Sequence, residues 1–202
     1  MTITVFGKPP TRALRVVWML EEMGLPYEVR PVDFAKRTAD EDFMAANPAG
    51  LLPAMTDGEV SMCESVAMLE YLASRHGPTP LAVDVKAANY PKYLQFLHFG
   101  EASLAAPLNV VVAPRFMAPE DQKDNWGSEA AGNMSLGRSV LVVDQLGKSP
   151  YMAGEHFTAA DISVGYGLYI MDRLGLGDRL DPKLKAYSAM LQERPAFQRA
   201  MA

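Results

Sequence analysis

Cysteine is nearly absent. Cys63 is the only one in 202 residues, so no intrachain disulfide can form and a reducing compartment is the natural setting. Excess positive charge is missing too. Nineteen Lys and Arg stand against twenty-four Asp and Glu, a formal charge of -5. With no basic run and an acidic balance, nucleic acid is not an expected partner. Apolar runs such as Val110 to Ala113 and Val140 to Val143 are short, well under the roughly 18 residues that span a bilayer. No membrane partner is therefore expected. The N-terminus opens on Thr2-Ile3-Thr4-Val5-Phe6 and lacks the basic-then-apolar layout of a signal peptide. There are no internal repeats and no low-complexity segments. The expectation is a cytoplasmic globular protein.

What is present fits that expectation. Nearly half of the residues are apolar and about a fifth are charged. The length accommodates one domain of about 80 residues and one of about 120. Thr2 to Phe6 alternates like a strand and ends at Gly7 and Pro9-Pro10. A helix is predicted from Arg12 to Met23, with Gly24 as its left-handed stop and Pro26 beyond. It is apolar on nearly all sides except at Arg12, Arg15, Glu21 and Glu22, the pattern of a helix packed on a sheet. Tyr27 to Asp33 alternates again, and Phe34 to Ala46 is weakly helical. Asp57-Gly58 between two short runs signals a hairpin. Glu64 to Arg75 is helical and stops at Gly77-Pro78.

The predicted order is strand, helix, strand, weak helix, hairpin, helix. Two strands separated by a helix imply a parallel βαβ unit, and the hairpin adds antiparallel strands, so the sheet should be mixed. That is an α/β arrangement of thioredoxin-like type. After Pro78-Thr79-Pro80 no convincing strand pair occurs. Helical candidates are Ala87 to Leu104, Pro119 to Leu146, Ala159 to Leu174, Pro182 to Glu193 and Pro195 to Met201. In the third, Ile162, Gly165, Tyr166, Tyr169 and Ile170 form one wide apolar face. The domain boundaries expected are 1–79 for the thioredoxin-like domain and 85–202 for an all-α helical domain.

Three segments of the first domain carry chemistry. Gly7-Lys8-Pro9-Pro10-Thr11-Arg12 lies where a βαβ unit takes ligands, at the carboxyl end of a strand. The helix that follows aims free N–H groups and its positive dipole end at this loop, where a thiol loses its proton more readily. A redox protein of this fold carries Cys-x-x-Cys here, and this loop has no cysteine. Sulfur chemistry must therefore use a sulfur brought by the ligand. Thr11 also reads as a plain N-cap. Leu52-Pro53 enters the hairpin, and a proline there is often only a turn residue. Glu64-Ser65 opens a helix, where a hydroxyl and backbone N–H groups suit a carboxylate, although a simple cap uses the same residues.

Together these segments resemble the soluble glutathione transferases, in particular their bacterial branch, over nearly the whole chain. The resemblance is carried by Arg15-Val16-Val17-Trp18-Met19-Leu20-Glu21-Glu22-Met23-Gly24-Leu25-Pro26, by Asn47-Pro48-Ala49-Gly50-Leu51-Leu52-Pro53, and by Glu64-Ser65. Tyr93-Leu94-Gln95-Phe96-Leu97-His98-Phe99-Gly100-Glu101-Ala102-Ser103 and Ala153-Gly154-Glu155-His156-Phe157-Thr158-Ala159-Ala160-Asp161 extend it into the second half.

The resemblance implies a four-stranded thioredoxin-like domain that binds glutathione as co-substrate, without a metal, and a helical domain that holds a hydrophobic electrophile. It implies that Pro53 is a cis-proline, with the backbone of Leu52 pairing with the cysteinyl unit. Glu64 would take the γ-glutamyl ammonium and Ser65 its carboxylate. Thr11 matches the serine hydroxyl of many members, and Arg12 beside it is a rival donor to the sulfur. Phe99, Ser103 and Tyr166 stand where relatives line the second pocket, as do Phe96 and Tyr169, although an aromatic stripe is more often core. Thr158 and Asp161 match a capping box that serves folding. A homodimer is also implied. One departure stands out: Leu51 replaces a polar residue that helps hold the glycyl carboxylate, and Lys36 or Arg37 could substitute. Loss of a charge-assisted bond weakens binding by roughly 1.5–3 kcal/mol. The activity implied is addition of the glutathione thiolate to hydrophobic electrophiles. The alternatives are glutathione-dependent isomerisation, dehalogenation or peroxide reduction, or a non-catalytic binding or regulatory protein.

Overall fold

The computed structural model describes residues 2–123 and 125–202, which contain four β-strands and ten α-helices. They divide into two units, one made of the chain up to Ala82 together with Glu193–Ala202, the other of Val83–Gln192.

In the first unit, β1 (Ile3–Phe6) leads through α1 (Ala13–Met23) to β2 (Tyr27–Arg30). Next come α2 (Glu41–Ala46), the hairpin of β3 (Ala54–Asp57) and β4 (Val60–Cys63), and α3 (Ser65–Arg75). The sheet order is β2-β1-β3-β4, with β1 parallel to β2 and antiparallel to β3, and β3 antiparallel to β4. The sheet is thus the mixed, four-stranded one of a thioredoxin-like domain.

Local chemistry explains the boundaries. Gly24, at φ 65°, ends α1 by sending its N–H back to Leu20 and Glu21. β2 stops at Arg30, three residues short of its expected end, because Pro31 has no N–H for the ladder. Only Glu41–Ala46 of the weak helical stretch becomes an α-helix, capped by Asp40, whose carboxylate accepts from the Phe43 N–H at 3.0 Å. The hairpin turn falls on Gly58-Glu59, one residue later than Asp57-Gly58 suggests, and Gly58 takes φ 62°. Asp57 instead belongs to β3.

The second unit is helical. It holds α4 (Tyr90–Phe99), a π-helical stretch (Gly100–Ala105), α5 (Asn109–Met117), α6 (Trp126–Arg138), α7 (Val140–Leu146), α8 (Ala159–Met171) and α9 (Pro182–Gln192). The sequence reading omits α5. Pro107 precedes the helix, and Pro114 sits inside it. The reading also merges α6 and α7 within Pro119 to Leu146; Asp124, in that stretch, lies outside the described residues.

The helical run Tyr90–Arg115 is 26 residues long and apolar enough to cross a bilayer. Counting uninterrupted apolar residues misses it, because polar residues are interspersed along the run. Its first half packs against α8, where Gly100 permits the contact: a Cβ there would lie 2.4 Å from the Ser163 backbone. α8 does not show the single apolar face expected of it. Every residue from Ala159 to Tyr169 is buried. At its start the Asp161 carboxylate accepts from the Thr158 N–H at 2.7 Å, the Thr158 hydroxyl at 3.0 Å, the Met152 N–H at 2.8 Å and the Tyr187 hydroxyl at 2.5 Å.

The chain's end packs with the first unit, whereas the sequence reading assigns all of 85–202 to the helical domain. α10 (Pro195–Met201) lies on α1, and the Phe197 ring meets Trp18 edge-on at 5.0 Å.

Candidate functional site

Strand register brings the three chemical segments together. Phe6 pairs with Ala54, and Ala54 pairs with Cys63, so the ends of β1 and β4 and the start of β3 form one row. The loop Gly7 to Arg12, the Leu52-Pro53 step and Glu64-Ser65 all leave the sheet from that row. Gly7 takes φ 102°, and a Cβ on it would come within 3.3 Å of the Leu52 side chain. Both α1 and α3 begin here, so two helix N-termini face the same end of the sheet and favour negative charge there.

Thr11 is exposed. Its hydroxyl donates to the Lys8 carbonyl at 2.7 Å and accepts from the Ala13 N–H at 3.3 Å. The second bond is a capping contact to α1, so the cap reading of Thr11 holds in part. Arg12 is half-buried and occupies the N-cap position. The Leu52–Pro53 peptide is cis, Leu52 is half-buried and Pro53 is buried.

Glu64 is exposed and has φ 70°, the one positive φ at a non-glycine among the described residues. An L side chain there costs roughly 1–3 kcal/mol, and such conformations cluster at binding sites. No sequence signal announces it. Ser65, the first residue of α3, is 3% exposed. Its Oγ accepts from Arg15 Nη1 at 3.3 Å. Arg15 is fully buried at 0% exposure, which corrects its placement on a polar side of α1. A cation in the middle of an otherwise apolar helix face was the available signal.

Leu51 is exposed at 56%. Beside it, Arg37 donates from Nε to the Gly50 carbonyl at 3.0 Å and from Nη1 to the Phe34 carbonyl at 2.6 Å. Its guanidinium also stacks 4.1 Å from the centroid of the Phe34 ring. A cation therefore borders the position where Leu51 has none. Lys36 is exposed. Asn47 shapes the loop, donating to the Leu51 carbonyl at 2.6 Å.

In the second unit, Phe99 and Ser103 are half-buried on consecutive turns, and Tyr166 lies on α8 at 3% exposure. Packing of α4 and the π-helical stretch on α8 gathers these residues within one unit. Phe96, fully buried, and Tyr169, at 7%, belong to the core.

Comparison with known proteins identifies the family. The glutathione S-transferase N-terminal domain model matches residues 1–74. A glutathione S-transferase of Arabidopsis thaliana is 30% identical over 213 residues, covering 98% of this chain and 94% of that protein. The chain belongs to the glutathione S-transferase family. As a glutathione S-transferase it is a transferase. It is also 29% identical to glutathione S-transferase 3 of Schizosaccharomyces pombe, over 92% of this chain and 81% of the relative. Its fold is that of a glutathione transferase family member from Pseudomonas fluorescens pf-5, solved with two glutathione bound. That likeness has a TM-score of 0.85 at 25% identity and covers 99% of this chain and 92% of the other.

Proposed function

We propose that this transferase binds glutathione at the sheet end described above and adds its thiolate to hydrophobic electrophiles. The convergence of Thr11, Leu52-Pro53 and left-handed Glu64 with Ser65 on one strand row carries the reading. Glutathione lies extended, its cysteinyl unit along the Leu52 backbone, its γ-glutamyl ammonium at Glu64 and that unit's carboxylate at Ser65 and the α3 N-terminus. Arg37, stacked beside Leu51, takes the glycyl carboxylate in place of the missing polar residue. A free thiol has a pKa of about 8.5 and is only a few per cent ionised at neutral pH. The α1 N-terminus and a hydroxyl from Thr11 hold the thiolate, with Arg12 the rival donor. The sulfur then attacks an electrophilic carbon: a C–S bond forms and the displaced group leaves with the electron pair.

The thioredoxin-like domain supplies the glutathione site and the helical unit Val83–Gln192 the electrophile pocket, with Phe99, Ser103 and Tyr166 in its lining. The enzyme works in the cytoplasm as a homodimer. Light scattering at micromolar concentration should give twice the 22.1 kDa chain mass, and a monomer mass overturns that part.

The deciding experiment is a calorimetric titration with reduced glutathione, followed by conjugation assays with a chloronitroaromatic. Binding plus turnover supports the reading, and absence of binding removes it. A second reading, binding without catalysis, is favoured by one observation: the Thr11 hydroxyl proton is already given to the Lys8 carbonyl. Binding without turnover across several classes of electrophile and peroxide selects it.

A further inference from the structure

Helix α1 is buried from Ala13 to Leu20, and Arg15 is the only charged residue in that stretch. Its guanidinium reaches out of α1 to a residue 50 positions away, the Ser65 hydroxyl at the start of the neighbouring α3. An arginine stays charged at any working pH, and removing it from water is costly. We infer that Arg15 is a positioning residue for the carboxylate that Ser65 receives, an inference that rests on the glutathione reading above.

The geometry supports this role through the hydroxyl's limited valence. A serine hydroxyl has one proton and two lone pairs. Arg15 Nη1 occupies a lone pair at 3.3 Å. The Ser65 proton is thereby directed away from α1, and no acceptor for it occurs among the described residues. Accepting from a cation also polarises the O–H and strengthens it as a donor. Glu64 turns the chain through φ 70° immediately before, so the first N–H groups of α3 open toward the same place. An incoming carboxylate meets an oriented hydroxyl, the helix end and a buried positive charge behind them. The arginine never touches the ligand; it acts through Ser65.

A brace between α1 and α3 would produce the same bond, so the test must separate ligand-specific effects from general ones. Two ligands serve: reduced glutathione, and the analogue γ-aminobutyryl-cysteinyl-glycine, which lacks only the carboxylate assigned to Ser65. Affinities are measured by calorimetry for the wild type, Ser65→Ala, Arg15→Gln, Arg15→Lys and the Arg15→Gln/Ser65→Ala double variant, with thermal melts as the fold control. Ser65→Ala should weaken glutathione about ten- to a hundredfold. Arg15→Gln should weaken it about tenfold, Arg15→Lys should restore part of that loss, and the double variant should bind no worse than Ser65→Ala. The analogue should bind all five proteins equally.

Equal weakening of both ligands by Arg15→Gln, or losses that add in the double variant, makes Arg15 a brace and overturns the inference. If Ser65→Ala leaves glutathione binding intact, the inference falls with the serine's role, although the glutathione reading survives. Failure of the wild type to bind glutathione removes the underlying reading itself. Should the Arg15 variants not fold, nitrogen NMR of the wild-type guanidinium decides. The Arg15 signal should move on adding glutathione and stay still with the analogue, and the same response to both overturns the proposal.

Discussion

Arg194 grips Glu22 with two nitrogens, Nε to Oε1 at 2.6 Å and Nη2 to Oε2 at 2.9 Å, across 172 residues of sequence. The Trp18 indole N–H donates to the same carboxylate at 2.9 Å, and Arg199 pairs with the adjacent Glu21. The last ten residues are thus part of the thioredoxin-like unit's own core, held against the second half of α1 at Trp18, Glu21 and Glu22.

Substitutions in this tail should therefore destabilise the first unit. Phe197→Ala removes the ring packed on Trp18 and should cost about 3–5 kcal/mol. Arg194→Ala should cost less, about 1–2 kcal/mol, because its side chain is 29% exposed and solvent screens the pair. Urea denaturation followed by tryptophan fluorescence reads both. A tail variant that unfolds with the wild-type midpoint would show that α10 is only draped on the surface.

Asp161 offers a sharper choice between protonation states. Burial pushes its carboxyl upward, and four donors, from Met152, Tyr187 and the Thr158 N–H and hydroxyl, pull it back; the balance is a raised value. All four groups point hydrogens at the two oxygens, which only an acceptor at both positions satisfies. Asp161→Asn places an NH₂ against donors, so it should destabilise by about 3 kcal/mol, within about 1 kcal/mol of Asp161→Ala. Chemical denaturation of both variants checks this. Recovery of most of the loss by Asn would mean that the pocket holds the neutral acid.

Much of this architecture was legible because short-range rules decide it. Gly24 after an apolar run, and Thr158 three residues before Asp161, are local signals, and both perform as the sequence suggests. The hairpin was legible to within one residue, since glycine accepts positive φ while Asp57 is drawn into β3 by pairing with Val60. Other features depend on long-range packing. Arg15 reads as a polar-face residue until Ser65 is seen beside it, and α5, with Pro114 inside it, escapes the reading altogether. The left-handed Glu64 leaves no trace in composition or period. The tail's place on α1 rests on Glu21 and Glu22 meeting arginines more than 170 residues later, a pairing no window can show.

Asp57 sets an acid limit on stability. Burial raises its carboxyl, but hydrogen bonds from His76 at 2.7 Å and Tyr71 at 2.9 Å outweigh burial and hold it below the ordinary range. A carboxyl depressed by folding contributes stability that is present above its unfolded value, near pH 4, and lost as pH falls through the folded value. Asp57→Asn should therefore be less stable than the wild type at neutral pH, and the gap should close below about pH 4. Denaturation midpoints between pH 2 and 7 report the crossover. A gap that is unchanged at the acid end would assign the loss to packing rather than charge.

Thr11 tests the catalytic assignment. Its hydroxyl donates to the Lys8 carbonyl at 2.7 Å and accepts from the Ala13 N–H at 3.3 Å, so it must turn its proton from the carbonyl to a bound sulfur. The residue is exposed, and rotation about one bond makes that exchange. Thr11→Val keeps the shape and removes the donor. If the hydroxyl accounts for one unit of the thiol's acidity, about 1.4 kcal/mol, bound glutathione should hold nearly tenfold less thiolate well below its pKa. Thiolate absorbance against pH should move upward by about that unit, and the conjugation rate should fall in proportion while affinity changes less. The variant should also lose about 1 kcal/mol of stability, because the Ala13 N–H loses its cap. Arg12 is the competing donor, always charged and next in the chain. An unchanged thiolate pKa and rate in Thr11→Val, with both lost in Arg12→Ala, would transfer the role to the guanidinium and leave Thr11 as the cap of α1.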